Sequence, residues 1–111
     1  MKKSIPEKGD FITVSFDPQS GHEQKGRRPA LVVSNTAFNA HTGLAIVCPL
    51  TSTDRGYPFH VPVTGDAPAK GFVMVEQVKS LDYHARSARI IGKAPEALLN
   101  DVLSILDACI F

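Results

Sequence analysis

The chain has 111 residues, 43% of them hydrophobic, with 12 Lys and Arg set against 11 Asp and Glu. That length predicts one domain over residues 1–111, burying about 65% of its unfolded surface, and no apolar run approaches the ~20 residues that span a bilayer. The opening MKKSIPEKGD carries lysines but no apolar stretch, so no signal peptide is read there, and a cytoplasmic protein without a membrane partner is expected. Charge is unevenly spread. Residues 94–111 hold Glu96, Asp101 and Asp107 and no Lys or Arg, a balance of −3; the first 93 set all 12 basic residues against 8 acids, a balance of +4. An anionic partner would prefer this body to the tail.

Residues 11–16 (FITVSF) alternate with period two, placing Ile12, Val14 and Phe16 on one face of a first strand. Asp17-Pro18 ends it, and a polar loop of about a dozen residues follows, a length that compact domains tend to reserve for function. Pro29 disfavours helix for Arg28 and holds it extended. The apolar run after it predicts a second strand, 29–34, covered on both faces. Residues 35–43 form a connection with room for a helical turn. A third strand is expected over 45–50, where Pro49 marks its end or an edge.

A second polar loop, TSTDRGY, occupies 51–57, and a strand resumes over 59–64, demoted toward an edge by Pro62. Turn-rich GDAPAKG precedes the longest predicted strand, 72–78, and a short one over 86–91 closes at Gly92. Pro95 suits the start of a helix and Glu96 its positive end. Leu98, Leu99, Val102, Ile105, Leu106 and Cys109 then recur at helical spacing. Many strands followed by a single helix predict an α+β fold with a curled antiparallel sheet. Cys48, in a strand run, and Cys109, on the helix, are expected to be reduced core thiols.

The four histidines, His22, His41, His60 and His84, stand in separate segments with no pair at ligand spacing, and neither cysteine has a CxxC partner. No G-x-S-x-G elbow, phosphate-binding loop or dinucleotide glycine pattern occurs. Neither a metal nor another cofactor is therefore expected. What remains is polar chemistry at strand ends. Loop one offers Glu23, Gln24, Arg27 and Arg28; loop two offers Thr51, Ser52, Thr53, Asp54 and Arg55. In an antiparallel pair the start of one strand meets the end of the next. Arg28 starts strand two and Thr51 follows strand three, so the two can approach.

Three segments carry a family resemblance. GDFITVSFDPQSGHEQKGRRPALVVS (9–34), CPLTSTDRGYPF (48–59) and GFVMVEQVKSLDYHARSARIIGKAPEALLNDV (71–102) resemble, in the same order, the motifs of the MazF/PemK toxin endoribonucleases. The resemblance implies a curled, SH3-like antiparallel barrel of CcdB/PemK type with one C-terminal helix, working as a homodimer. It implies cofactor-free cutting of single-stranded RNA or mRNA to a 2′,3′-cyclic phosphate and a 5′-hydroxyl, with a cognate antitoxin as partner. Carried over position by position, the family's loop arginine falls on Arg28, its threonine on Thr51 and its loop glutamate on Glu23. Gln77 matches the glutamine of its Q-V-[KR]-S strand. Gln24, Arg27, Ser52, Arg55, Lys79 and Arg86 are further candidates for holding RNA. Tyr83-His84 departs from the family's aromatic turn, where base reading could differ.

The residue types make that chemistry intelligible. Cleavage without metal needs a deprotonated 2′-hydroxyl, charge stabilisation on the phosphorane and a protonated 5′-oxygen. Arg28 offers bidentate hydrogen bonds to non-bridging oxygens, and Thr51 a neutral donor. Glu23 is a candidate base, although a carboxylate beside arginine is weakly basic. Two other readings stay open on sequence alone: a gyrase-poisoning toxin of CcdB type with no nuclease chemistry, and a barrel that binds RNA without cutting it.

Overall fold

The structure, a computed structural model, describes residues 4–15 and 27–111. Within them seven strands and two helices follow one another. β1 is Asp10–Ser15, β2 Arg27–Val32, α1 Thr36–Thr42, β3 Leu44–Thr51 and β4 His60–Pro62. Then come β5 Phe72–Met74, β6 Lys79–Asp82, β7 Arg89–Lys93 and α2 Glu96–Ile110. All pairings are antiparallel, in the spatial order β4-β5-β3-β2-β1-β7, with β6 also paired to β3. The predicted curled antiparallel sheet is present, but it does not close: among the described residues β4 and β7, its two ends, do not pair with each other.

β3 is the hub. One edge pairs with β2 over Val47–Pro49, while the other pairs with β6 over its first four residues and with β5 over Leu50 and Thr51. A single edge cannot serve two partners along one straight neighbour. The predicted strand 72–78 is accordingly broken by a 3-10 turn, Val75–Gln77, closed by Val78 N–H donating to Val75 O at 3.2 Å. Val75 is fully buried there and its N–H donates to Phe59 O.

Strand alternation sorts the apolar residues into two cores. Phe11, Leu31, Cys48 and Leu50 face α2, where Leu98 and Val102 meet them with Val61, Val73 and Val75. Ile12, Val14, Ala30, Val32, Ala45 and Val47 face the other way and are covered by Leu81 and Tyr83. Burial on both faces is why the second strand reads as an unbroken apolar run. At about 25 cal/mol per Å² of apolar surface, each fully buried Leu, Ile or Val contributes ~1.5–3 kcal/mol.

Besides the break in 72–78 and the shortening of 59–64 to His60–Pro62, four readings change in the structure. The 35–43 connection holds a seven-residue helix, capped by Asn35, whose side chain accepts from Phe38 N–H, and ended by Gly43 at φ +76°. β2 begins at Arg27, so Arg28 lies within a strand rather than at its mouth. The predicted strand 86–91 starts only at Arg89, because Asp82 folds residues 82–88 into a turn. Asp82 Oδ1 accepts from His84 and Ala85 N–H, its carbonyl accepts from Arg86 N–H, and Ser87 sits at φ +55°. Cys109 is exposed rather than core; Cys48 is buried, and both are free thiols. The edge reading of Pro62 holds, since β4 pairs with β5 alone.

Candidate active site

Two prolines shape the site. The β2–β3 ladder runs through Val32↔Val47 and Leu31↔Cys48 to Ala30↔Pro49, where it stops. Proline carries no N–H to donate, and Pro29 and Pro49 lie at this end of the pairing. Extending the register by two residues sets Arg28 opposite Thr51, and by alternation both lie on the face of Ala30 and Val47. At this end opens a cleft of about 520 Å³, lined by Arg28, Pro29, Leu50, Thr51, Ser52, Thr53, Arg55 and Lys70.

The loop carrying Thr51 is shaped by its own side chains. Thr51 Oγ1 accepts from Thr53 N–H at 3.2 Å, and Asp54 Oδ1 accepts from Gly56 N–H at 3.0 Å. An acceptor site of the Thr51 hydroxyl is thus taken, leaving its proton to donate to a ligand. Thr51 is also pinned from β5. Its partner is Phe72, and the backbone of Gly71, at φ +115°, lies so close that a Cβ there would come within 2.4 Å of Thr51 O. Only glycine fits that position.

Electrostatically the cleft is one-sided. Arg28, Arg55 and Lys70 line it, and among the described residues no carboxylate does. Among the described residues none of these three makes an ion pair or a side-chain hydrogen bond with protein. Such a surface offers donors to an anion. No group of three His, Cys, Asp or Glu side chains able to hold a metal ion occurs among the described residues.

The structure brings four of the sequence candidates together, Arg28, Thr51, Ser52 and Arg55. Four others do not line the cleft. Arg27 Nη2 donates to Thr13 O (2.8 Å), Thr13 Oγ1 (2.9 Å) and Ser87 O (2.7 Å). Arg86 Nη1 donates to Ser15 O at 3.1 Å, and Ser15 N–H donates back to Arg86 O. These two arginines therefore fasten the 82–88 turn to Ser15 and Arg27, the residues bounding segment 16–26. Gln77 is exposed in the 3-10 turn, and Lys79 opens β6 opposite Val47. Glu23 and Gln24 lie outside the described residues.

Two features escaped the sequence. Lys70 was hidden in a segment legible only as a turn. His60, just past the Thr51 loop, is 8% exposed, contacts Glu76 Oε2 through Nε2 at 2.9 Å and packs near the Tyr57 ring. Its Nδ1 has no hydrogen-bond partner among the described residues. Burial, reinforced by the negative charge of Glu76, pushes the Cys48 thiol up to about 12, so this sulfur stays protonated and unreactive. At the far end of β1, Lys93 Nζ lies 2.9 Å from both Asp10 Oδ1 and Glu7 Oε1, bonds that raise its pKa above the usual lysine value.

An open antiparallel sheet with a C-terminal helix and a cationic, threonine-bearing cleft defines a small α+β protein whose cleft presents donors suited to an anion. The comparisons make that specific. A model of PemK-like, MazF-like toxins of type II toxin–antitoxin systems matches residues 7–110. The chain is 43% identical to the endoribonuclease toxin ChpB of Escherichia coli K12, over 99% of this chain and 98% of that one. It is 41% identical to the endoribonuclease toxin MazF of the same strain, over 88% of each. Its fold superposes on a MazE–MazF crystal structure from Deinococcus radiodurans with a TM-score of 0.84 and 34% identity, covering 96% of each chain. The chain belongs to the PemK/MazF family of type II toxin–antitoxin toxins. No helix among the described residues is long and apolar enough to cross a membrane.

Proposed function

We propose that this chain is an endoribonuclease toxin that cuts single-stranded RNA, mRNA included, in the cytoplasm. Its products would be a 2′,3′-cyclic phosphate and a 5′-hydroxyl, no metal would take part, and a cognate antitoxin would neutralise it. The observation that carries this reading is the convergence of Arg28 and Thr51 on one cleft at the proline-bearing end of the β2–β3 ladder, its described lining cationic and without a carboxylate. Support for the activity comes from relatives named endoribonuclease toxins, and support for the antitoxin from the MazE–MazF structure.

The reaction is an in-line transesterification. The 2′-oxygen loses its proton and bonds to phosphorus, the bond from phosphorus to the 5′-oxygen breaks, and the 5′-oxygen leaves with a proton. Negative charge gathers on the two non-bridging oxygens as phosphorus becomes five-coordinate. Arg28 meets them with a planar fork of donors whose charge persists at any working pH. The Thr51 hydroxyl adds a donor aimed from the opposite strand, held by the Thr53 N–H and the Gly71 contact. Donors placed before charge develops are worth about 10²–10³ in rate each. Glu23 is proposed as the base for the 2′-hydroxyl.

Ser52 and Arg55 extend the cleft, while Gln24, Gln77 and Lys79 are proposed to hold flanking nucleotides. Arg27 and Arg86 add charge while bracing the stem of segment 16–26. The working unit is proposed to be a homodimer. Incubation with a long unstructured RNA in EDTA, followed by sequencing of the fragment ends, tests the proposal. We expect discrete cuts with 5′-hydroxyl ends, and an Arg28→Ala protein that melts normally but loses at least about 10²-fold in rate. RNA left intact by the unaltered protein across varied sequences would refute the nuclease reading.

A further inference from the structure

Lys70 is the one cation of the cleft that the chemistry above leaves without a task. We infer that Lys70 forms a phosphate subsite of its own, holding a backbone phosphodiester of the same RNA strand that flanks the scissile one. The inference rests on the endoribonuclease reading and goes beyond it in assigning a residue and a ligand group.

Three observations lead there. The first is where the backbone puts Lys70. It precedes Gly71, whose main chain abuts Thr51 O and Ser52 Cα, whose carbonyl accepts from Val63 N–H at 2.8 Å, and whose successor Phe72 pairs with Thr51. The Lys70 backbone is thereby fixed beside the reacting centre, while its side chain is exposed and lines the cleft.

The second is the charge count. Arg28, Arg55 and Lys70 bring three positive charges to the cleft, and among the described residues no carboxylate lines it, so even the proposed Glu23 would leave an excess of two. One phosphodiester carries a single negative charge, and the fork of Arg28 already matches it. Three cations suit a polyanion laid through the cleft, with a second and third phosphate at its ends. The third is residue type. A lysine is a compact charge on a flexible stem with three rotatable donors. That suits a flanking phosphate, whose position shifts with the base step, better than a phosphorus that must be held in line.

The test measures kcat and KM on one unstructured RNA as KCl is raised from about 50 to about 300 mM, for the unaltered chain and for Lys70→Ala, Lys70→Gln and Lys70→Arg. At the low-salt end Lys70→Ala and Lys70→Gln should lose about five- to tenfold in kcat/KM, carried by KM rather than kcat. Their slope of log(kcat/KM) against log[salt] should be less steep by about 0.7, the signature of one lost phosphate contact on a single strand. Lys70→Arg should keep the original slope. Thermal melts should match for all four proteins, since the side chain is exposed.

Unchanged slopes in a nuclease that otherwise cuts RNA would overturn the subsite and leave the nuclease reading standing. So would an arginine variant as impaired as the glutamine one. A protein that neither cuts this RNA nor binds its 2′-O-methyl analogue would overturn the nuclease reading, and the subsite with it. The steps are distinguishable because the first pair of outcomes requires an active parent.

Discussion

Gly71→Ala should disable this protein from a position that contributes no side chain. The added Cβ would lie 2.4 Å from Thr51 O and 3.2 Å from Thr51 C, where ordinary contact begins at 3.4 Å, and both neighbours are main chain with no rotamer to yield. Relief therefore requires the β5 and β3 backbones to part by roughly 1 Å. In addition, φ +115° lies outside the basins of an L residue, a strain of about 1–3 kcal/mol. Together with a loosened Thr51↔Phe72 pairing, a stability loss of about 2–4 kcal/mol is expected. That is a Tm lower by roughly 10–20 °C for a chain of this size. With Thr51 in its proposed role, a displacement of ~1 Å would cost about 10²-fold in rate. The assay is single-turnover cutting at a temperature where circular dichroism finds the variant fully folded, alongside its melting curve. A folded Gly71→Ala protein with the parent's rate would refute the claim that this contact places Thr51. A parental Tm would refute the strain itself.

Two further outcomes concern stability. The Cys48 thiol is raised from 9.0 to about 12 by burial, so above pH ~9 the unfolded chain gains a deprotonation that the folded chain resists, and stability falls as pH climbs between those values. Lys93, raised by its bonds to Asp10 and Glu7, acts with the same sign, its contribution present below 10.5 and lost as pH rises through the folded value. Urea midpoints should thus decline from pH 8.5 to 10.5 (roughly), less steeply in Cys48→Ala, and an unchanged midpoint would contradict the assignment. Ser87→Gly should stabilise the chain by about 0.5–1 kcal/mol, because a serine at φ +55° is held in a left-handed conformation that glycine adopts freely. A lower melting temperature for this variant would mean that the serine side chain offsets its backbone strain.

Where the sequence was informative, local pattern and tertiary demand agreed. Alternation in FITVSF, the apolar run after Pro29 and the spacing of Leu98 and Val102 each answer to one partner surface, and the structure has β1, β2 and α2 there. The approach of Arg28 and Thr51 was legible for the same reason, since sequential antiparallel strands leave few alternatives. The misreadings lie where a distant partner decides. Nothing within residues 72–78 says that β3 must be shared between two strands, so the break at Val75 has no glycine or proline to announce it. The 82–88 turn is hidden likewise, because it is made by an Asp82 carboxylate and a left-handed Ser87 with no glycine or proline to announce it. Arg27 was offered as a candidate for holding RNA, and its bracing role was hidden because its partners, Thr13 and Ser87, are 14 and 60 residues away. Cys109 kept the helical period after α2 had run past its core. Lys70 has no local pattern at all; only the pairing of Thr51 with Phe72 brings it to the cleft.

The fastening of residues 82–88 onto Ser15 and Arg27 has a consequence for divergence among such toxins. Both boundaries of segment 16–26 are held by bonds that the segment itself does not make. Its composition and length can then drift without disturbing the sheet, since doubling a loop between fixed ends costs only ~0.6 kcal/mol in closure entropy. Arg28 and Thr51 stay where the strands put them through such change. A lineage could therefore vary the residues around Glu23 in this segment while the strands go on presenting Arg28 and Thr51 to the same cleft.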